Sequence, residues 1–140
     1  MTDLEKLLAI EDIKQLQGRR VRAVDSKDWV LYAACHSPNM AHDNDDKGGK
    51  ISGLDVVIKR VKDSVEGAVT IHHVHSPEFE FTSDTTAKGI WVLEDRLYWK
   101  DRWQHGFGHY YDSYAKENGK WVFTSRKITR LRLEKGTIGA

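Results

Sequence analysis

The sequence predicts a single α+β domain, with helices in the first half of the chain and long antiparallel strands in the second. Apolar residues recur at steps of three and four up to about residue 65, and at steps of two after residue 69. Turn signals such as Asn118-Gly119 separate the alternating segments. A chain of 140 residues also suits one hydrophobic core, so we expect one domain over residues 1–140.

The first helix is predicted over residues 3–24, because one stripe of its surface is apolar apart from a single arginine. Arg20 lies in the middle of this stripe. Its long aliphatic stem allows the charge to reach water, so a solvated arginine and an inward functional arginine are both open readings. Asp25 follows at the junction with the next helix. The stripe consists of Ala9, Ile13, Leu16, Arg20, Ala23 and Val24.

A second, shorter helix is predicted after Ser26, with Asp28 in its first turn. The segment His36-Ser37-Pro38-Asn39 is expected to end it, and a weak strand follows over residues 40–43. Cys35 is the one cysteine of the chain, which excludes an internal disulfide and suggests a small buried residue rather than a nucleophile. The side chains expected to pack behind this helix are Trp29, Leu31, Tyr32 and Cys35.

Residues 44–50 are polar and contain two glycines, which predicts a turn or a mobile loop that could serve as a lid. The third helix is expected to begin at Ser52 or Gly53, and Gly67 is expected to end it. Between these positions, apolar residues recur at helical spacing.

Four strands follow the third helix. Asn118-Gly119 predicts that the last two are antiparallel neighbours, and Ser83-Asp84-Thr85 makes a similar connection earlier. Pro77 indicates a bulge or an edge position in the first long strand. Three helices on the concave face of such a twisted sheet would leave a cavity. The predicted strands cover residues 69–82, 86–100, 106–117 and 120–134.

Charge and hydropathy narrow the class of partner. The chain has 22 Lys and Arg against 21 Asp and Glu, so it has no broad positive field for nucleic acid or an anionic membrane. No apolar stretch is long enough to span a bilayer, and the start of the chain lacks a basic region followed by an apolar one. We therefore expect a cytoplasmic protein with a small-molecule or protein partner.

Three histidines on the first long strand are candidates for chemistry. Strand alternation directs His72 to one face and both His73 and His75 to the other. His73 and His75 could chelate zinc, but no third ligand stands at a motif-like spacing, so we predict no metal site. The sequence also has no glycine-rich phosphate loop and no serine elbow.

Several segments in order resemble the SnoaL-like branch of the nuclear transport factor 2-like superfamily, and the resemblance covers essentially the whole chain. It implies a cone-shaped α+β barrel with a deep apolar pocket. Members include scytalone dehydratase, bile-acid dehydratase, hexachlorocyclohexane dehydrochlorinase, polyketide cyclases and ketosteroid isomerase-like proteins. The matching segments are residues 22–29, Thr70-Ile71-His72-His73, residues 106–111, Asn118-Gly119-Lys120-Trp121 and Thr129-Arg130-Leu131-Arg132.

By position, the resemblance implies that Asp25 and His72 form a catalytic pair that works without a cofactor. It also implies that Arg20 and Arg126 complete the site, as basic residues do in the dehydrochlorinase. The tyrosines that two of the dehydratases have near this Asp are absent, because Arg20 and Val24 stand in their places. Chemistry is consistent with the pair, since a neutral imidazole can take a proton from carbon while a carboxylate holds its other nitrogen. A helix cap and an ordinary strand histidine remain the structural alternatives.

Aromatic residues are expected to complete a substrate pocket. Trp29, Tyr32 and Trp91 could stack on a flat substrate, although they are also typical core residues. His109 and Tyr111 share a strand face and could supply a second acid or a hydroxyl donor.

These expectations combine into a functional hypothesis. The chain would be a cofactor-independent lyase, in particular a dehydratase, that acts on a mainly apolar cyclic or aromatic small molecule through Asp25 and His72. Isomerisation, cyclisation and formaldehyde-releasing carbon–carbon cleavage are alternatives in the same pocket, and a non-catalytic binding or assembly module is another. The resemblance further implies a homo-oligomer, either a trimer or a dimer.

Overall fold

A computed structural model describes residues 1–139, and it contains three α-helices and six strands within that range. None of these helices is long and apolar enough to cross a membrane. The helices are α1 (Asp3–Asp25), α2 (Trp29–Ala34) and α3 (Leu54–Val65). The strands are β1 (His36–Asn44), β2 (Gly49–Ser52), β3 (Val69–Ser83), β4 (Thr86–Tyr98), β5 (Arg102–Glu117) and β6 (Lys120–Thr137).

Helix α1 begins at a capping box. The Thr2 hydroxyl accepts a hydrogen bond from the Glu5 backbone N–H at 3.1 Å, and the Glu5 carboxylate accepts one from the Thr2 N–H at 2.7 Å. All six residues of the predicted stripe are buried, including Arg20 at 4 % exposure. The predicted helix is confirmed, and it carries a buried charge on its inner face.

Helix α2 begins one residue later than its predicted first turn. The Asp28 carboxylate accepts a hydrogen bond from the Leu31 N–H at 3.0 Å, so Asp28 is the N-cap and stands just before the helix. Lys27 adopts a φ of 57°, which turns the chain sharply between α1 and α2. This tight turn fixes the end of α1 at Asp25.

The six strands form one mixed sheet in the order β2-β1-β6-β5-β4-β3. Neighbouring strands are antiparallel except β1 and β6, which are parallel. Within residues 1–139 the edge strands β2 and β3 do not pair with each other, so the predicted barrel is an open cone. Its core packs α1 residues Ile13 and Leu16 against Trp91 of β4 and Phe123 of β6.

The sequence predicted four long strands and a weak one. It missed β2 and predicted β1 too short. β1 already begins at His36, although the segment His36-Ser37-Pro38-Asn39 was expected only to end the second helix, with the strand starting at residue 40. Residues between His36 and Ala41 are out of register with β6, so the missing N–H of Pro38 interrupts no regular ladder. The predicted loop over residues 44–50 contains a 3₁₀ turn, Asp45–Lys47, and the start of β2.

The long strands also differ from prediction at their ends. β5 begins at Arg102 instead of residue 106, β6 continues to Thr137, and β4 ends at Tyr98. The predicted hairpin is confirmed, because Asn118 and Gly119 adopt φ values of 52° and 77°. The predicted disturbance near Pro77 is confirmed as well, since the register shifts between His75 and Glu78 in an edge strand.

Candidate functional site

The carboxylate of Asp25 joins the end of α1 to the edge strand β3. Its Oδ1 lies 2.6 Å from His72 Nδ1 and accepts a hydrogen bond from the Thr70 hydroxyl at 2.9 Å. Its Oδ2 accepts a bond from the His72 backbone N–H at 3.0 Å. Both oxygens are therefore engaged, and the imidazole is held through its ring and its backbone at once.

This contact determines the tautomer of His72. A carboxylate can only accept hydrogen bonds, so Nδ1 carries a proton, and in the neutral ring the lone pair is on Nε2. Nε2 has no hydrogen-bond partner within residues 1–139. The His72 side chain is only 13 % exposed and lines a cavity between the helices and the sheet. A neutral imidazole in this tautomer can accept a proton at Nε2.

The cavity lies between α1, α3 and the concave face of the sheet. Its volume is about 70 Å³, and it opens to solvent on one side. The wall contains both polar and apolar side chains. The resemblance had implied a mainly apolar pocket instead. Polar side chains on it are Arg20, His42, Asn44, Lys47, Arg60, Ser64, His72, Asp95, Gln104, Tyr110 and Arg130. Apolar ones are Val24, Val61, Val65, Leu97 and Ile128.

Asp95 of β4 is a cavity residue that the sequence analysis did not identify. It is the cross-strand partner of His72, so both side chains project from neighbouring positions of the same face. Asp95 Oδ2 accepts a hydrogen bond from Arg130 Nη1 at 2.6 Å, whereas Oδ1 is buried without a partner in the described part of the chain. A side chain at Gly106 would collide with this ion pair. The sequence pattern that could have identified Asp95 is its position on β4 between Leu93 and Leu97, two leucines that face inward.

Arg20 points inward, which was one of the two readings of the sequence. Its Nε donates to His36 Nε2 at 3.1 Å and its Nη2 donates to the Tyr32 hydroxyl at 3.1 Å. His36 must then carry its proton on Nδ1, which lies 2.5 Å from the Tyr32 carbonyl oxygen. Burial, reinforced by the Arg20 charge, lowers the pKa of His36 to about 2. The partners of this buried cation are therefore neutral.

Arg60 of α3 and His42 of β1 form a second group that the sequence analysis missed. Arg60 donates from Nη1 to the Lys47 carbonyl at 2.9 Å and from Nη2 to the His42 carbonyl at 3.0 Å. Nη2 also lies 3.2 Å from His42 Nδ1. Burial lowers the pKa of His42 to about 2, and the charges of Arg20, Arg126 and Arg60 act in the same direction. No periodicity in the sequence connects these two residues.

Arg126 does not line the cavity, contrary to the position that the resemblance implied. Its side chain is fully buried, and its Nε donates to Asp112 Oδ1 at 2.7 Å. Nη2 donates to Gln17 and to Asp112, each at 2.9 Å, and the guanidinium lies 3.5 Å from the centre of the Tyr110 ring. Asp112 is the cross-strand partner of Arg126, so an inward-facing carboxylate holds this arginine in the core. Arg130 reaches the cavity instead.

Three aromatic residues predicted to stack on substrate do not line this cavity. Tyr32 is fully buried and holds Arg20 through its hydroxyl. Trp91 is buried in the main core and donates from Nε1 to the Tyr114 hydroxyl at 2.8 Å. Trp29 packs edge-on against Tyr32, with ring centres 5.6 Å apart. Tyr32 and Trp91 are therefore core residues, and Trp29 is partly buried beside them.

His109 and Tyr111 face away from the cavity. The inward positions of β5 are the even-numbered ones, and Tyr110 lines the cavity while Tyr111 is 45 % exposed. Strand alternation showed that His109 and Tyr111 share a face, but it did not show which face is inside. His73 also lies on the outer face, where its side chain is 64 % exposed and its Nδ1 is 3.9 Å from a Glu94 oxygen.

Comparison with known proteins gives consistent matches along the chain. The model of the SnoaL-like domain family matches residues 5–127. A protein from Novosphingobium aromaticivorans, described as a candidate scytalone dehydratase, superposes with a TM-score of 0.88 at 20 % identity, covering 100 % of this chain and 95 % of that one.

Two dehydrochlorinase structures are similar in the same way. A type 2 hexachlorocyclohexane dehydrochlorinase has a TM-score of 0.85 at 16 % identity, covering 99 % of this chain and 95 % of that one. The type 3 enzyme from Novosphingobium barchaimii has a TM-score of 0.80 at 19 % identity, covering 99 % and 97 %. At these identities the likeness concerns the fold.

Proposed function

This chain belongs to the SnoaL-like domain family, and on that premise we propose that it is a lyase, in particular a dehydratase, in which His72 moves the proton. The substrate would be a small cyclic or aromatic molecule held in the cavity between the helices and the sheet. The reaction would need no cofactor, because proton transfer and charge stabilisation are sufficient for loss of water next to an activating group.

The observation that carries this proposal is the pairing of Asp25 with His72. A helix cap would engage backbone N–H groups at the start of a helix, whereas Asp25 stands at the end of α1 and binds across to β3. Its 2.6 Å contact with Nδ1 leaves Nε2 with a lone pair, and the ring lines the cavity. A carboxylate behind an imidazole stabilises the imidazolium that forms when the ring accepts a proton.

The proposed reaction proceeds by proton transfer through one imidazole. His72 Nε2 removes a proton from carbon, and the electrons of that C–H bond form a carbon–carbon double bond. The bond between the neighbouring carbon and its hydroxyl oxygen breaks, and the imidazolium returns its proton to the departing oxygen. Water and an unsaturated product result, and His72 is neutral again, so the cycle is balanced without another reactant.

Other cavity groups would support the charge that develops during this reaction. Tyr110 remains a hydroxyl donor, because burial raises the pKa of its phenol. Asp95 Oδ1 is an unused acceptor one strand away from His72 and could orient a substrate hydroxyl. Arg20 has N–H groups without acceptors and could stabilise an enolate or phenolate.

The test of the proton-transfer role is His72→Ala, assayed by mass spectrometry on hydroxylated cyclic and aromatic compounds. Turnover should fall by about 10²- to 10⁴-fold, the usual contribution of general acid–base catalysis. His73→Ala is the matched control, because His73 is adjacent in sequence but lies on the outer face. Equal turnover of the His72 variant and the wild type would refute the proposal, provided that circular dichroism shows both to be folded.

The mass of the product separates the remaining reactions. Dehydration lowers the mass by one water, isomerisation and cyclisation leave it unchanged, and carbon–carbon cleavage releases a carbonyl fragment. A binding module would give no product, and its ligand affinity would be the same after Asp25 and His72 are replaced.

A further inference from the structure

The cavity wall contains more positive charge than its own carboxylates can neutralise. Four of its side chains are cationic, namely Arg20, Lys47, Arg60 and Arg130, and Asp95 is the carboxylate among the lining residues. Arg130 is satisfied from the protein, because Asp95 binds its Nη1 at 2.6 Å and Asp46 binds its Nε at 2.9 Å. The excess charge therefore resides on the other three.

Arg60 forms no ion pair with any carboxylate among residues 1–139. Its partners are two carbonyl oxygens, those of Lys47 and His42, and the ring of His42. These contacts use three of the five guanidinium N–H groups. Nε is buried and has no hydrogen-bond partner among the described residues, so it is a donor that a ligand could satisfy.

Arg20 is in a similar situation on the opposite helix. It is 4 % exposed, and its hydrogen bonds go to His36 and to the Tyr32 hydroxyl, both of them neutral. Neither N–H of Nη1 has an acceptor within the described part of the chain. A buried guanidinium without a counter-ion is unfavourable in a protein interior, unless a ligand supplies the negative charge.

His42 adds a neutral donor beside Arg60. A guanidinium can only donate, so the 3.2 Å contact between Arg60 Nη2 and His42 Nδ1 requires a lone pair on Nδ1. The ring proton must then be on Nε2, which makes no hydrogen bond to the described residues. His42 is 4 % exposed and lines the cavity.

We propose that the cavity binds an anionic substrate and that Arg60, together with His42 and Arg20, receives its carboxylate. The inference rests on the proposed function, because it specifies the substrate class for the site that contains His72. It differs from the sequence expectation of a mainly apolar ligand. A carboxylate here would accept hydrogen bonds from guanidinium groups, a charge-assisted geometry that is stronger than bonds between neutral groups. The uncharged part of the molecule would then extend toward His72.

The test is binding and does not require turnover. Benzoate and acetate are titrated into the folded protein, with benzamide and acetamide as neutral molecules of the same shape, and binding is followed by NMR shifts of the histidine rings. We expect both carboxylates to bind at least about tenfold more tightly than their amides, as charge-assisted bonds imply. Equal affinity of each carboxylate and its amide would overturn the proposal.

Variants then locate the anion. Arg60→Gln should weaken benzoate binding by about 10- to 100-fold and leave benzamide binding unchanged. Arg60→Lys should have an intermediate effect, because it keeps the charge but not the paired donors. Arg96→Gln is the matched control, since Arg96 is exposed and paired with Glu94 on the outer face. If Arg60→Gln and Arg96→Gln bind benzoate equally well, the assignment is wrong.

His72→Ala separates this proposal from the proposed reaction. It should still bind benzoate more tightly than benzamide, because the carboxylate contacts lie on Arg60, His42 and Arg20. A preserved preference for benzoate together with unchanged turnover in His72→Ala would refute the lyase and leave the anion site intact. The opposite outcome is also distinguishable. If the wild type binds benzoate and benzamide equally well but loses turnover when His72 is replaced, only the anion site is refuted.

Discussion

At the scale of single residues, Asp25 is the group on which the geometry of His72 depends. It accepts three hydrogen bonds from β3, two of them from His72 itself. An amide cannot accept at both positions, so Asp25→Asn would face one His72 N–H with its own NH₂ group. It would also remove the charge that stabilises the imidazolium.

We predict that Asp25→Asn lowers kcat by about 10²- to 10⁴-fold with little change in KM, because the loss concerns the proton-transfer step. The short contact at 2.6 Å should give a low-field proton NMR signal for His72 Nδ1–H, and this signal should disappear in the variant. Thr70→Val is the control, since it removes one bond to Asp25 and leaves both His72 contacts. A variant that loses the signal but keeps its kcat would show that Asp25 has only a structural role.

At the residue scale, periodicity placed Asp25 at the end of an amphipathic helix and separated His72 from His73 and His75 on β3. It was the resemblance, by position, that selected Asp25 and His72 as a pair. Arg60, His42 and Asp95 could not be selected in this way, because α3, β1 and β4 meet only after folding. Arg126 was misplaced because its burial depends on Asp112 of another strand.

At the scale of elements, the junction of β5 and β6 determines which side chains reach the cavity. The register shifts between Phe107 and Gly108, so that Phe107 pairs with Arg132 and Gly108 with Arg130. Leu131 is the extra residue and is 77 % exposed. The bulge therefore leaves Arg130 inside the cavity and Arg132 outside.

We predict that Gly108→Ala strongly destabilises the fold, because the new methyl group would collide with the backbone carbonyl of Thr129. Overpacking of this kind costs about 1–3 kcal/mol or more, and a backbone neighbour cannot rotate away. Gly18→Ala is the matched control: Gly18 lies in α1, and nothing lies within 4 Å of an added Cβ. It should stabilise by about 0.5–1 kcal/mol. Urea unfolding of both variants measures the difference, and equal stability would contradict this reading of the bulge.

At the scale of the whole molecule, the switch from helical to alternating periodicity was sufficient to predict the α+β class. The same pattern did not reveal the parallel pairing of β1 with β6, because β1 has little alternation and contains Pro38. That pairing brings His36 and His42 under the helices. The two residues are 5 % and 4 % exposed, and the charges of Arg20 and Arg126 act on both, with Arg60 acting on His42 as well.

This arrangement predicts how stability depends on pH. The folded-state pKa of both His36 and His42 is lowered to about 2, whereas a histidine in an unfolded chain has a pKa of about 6.5. Between these values the unfolded chain binds two protons that the folded protein excludes. The stability present above pH 6.5 is therefore lost progressively on acidification, and each histidine contributes a slope approaching about 1.4 kcal/mol per pH unit.

Urea unfolding between about pH 7 and pH 5 tests this prediction, because most carboxylates remain ionised over that range. The free energy of unfolding of the wild type should fall with a limiting slope of about 2.7 kcal/mol per pH unit from the two rings. His42→Gln removes one titrating group but keeps an oxygen that can accept a hydrogen bond from Arg60 Nη2. The free energy of unfolding of this variant should therefore fall less steeply with pH, by up to about 1.4 kcal/mol per pH unit. If the variant and the wild type lose stability equally steeply, His42 is protonated in the folded protein. The neutral donor assigned to it in the cavity would then be wrong as well.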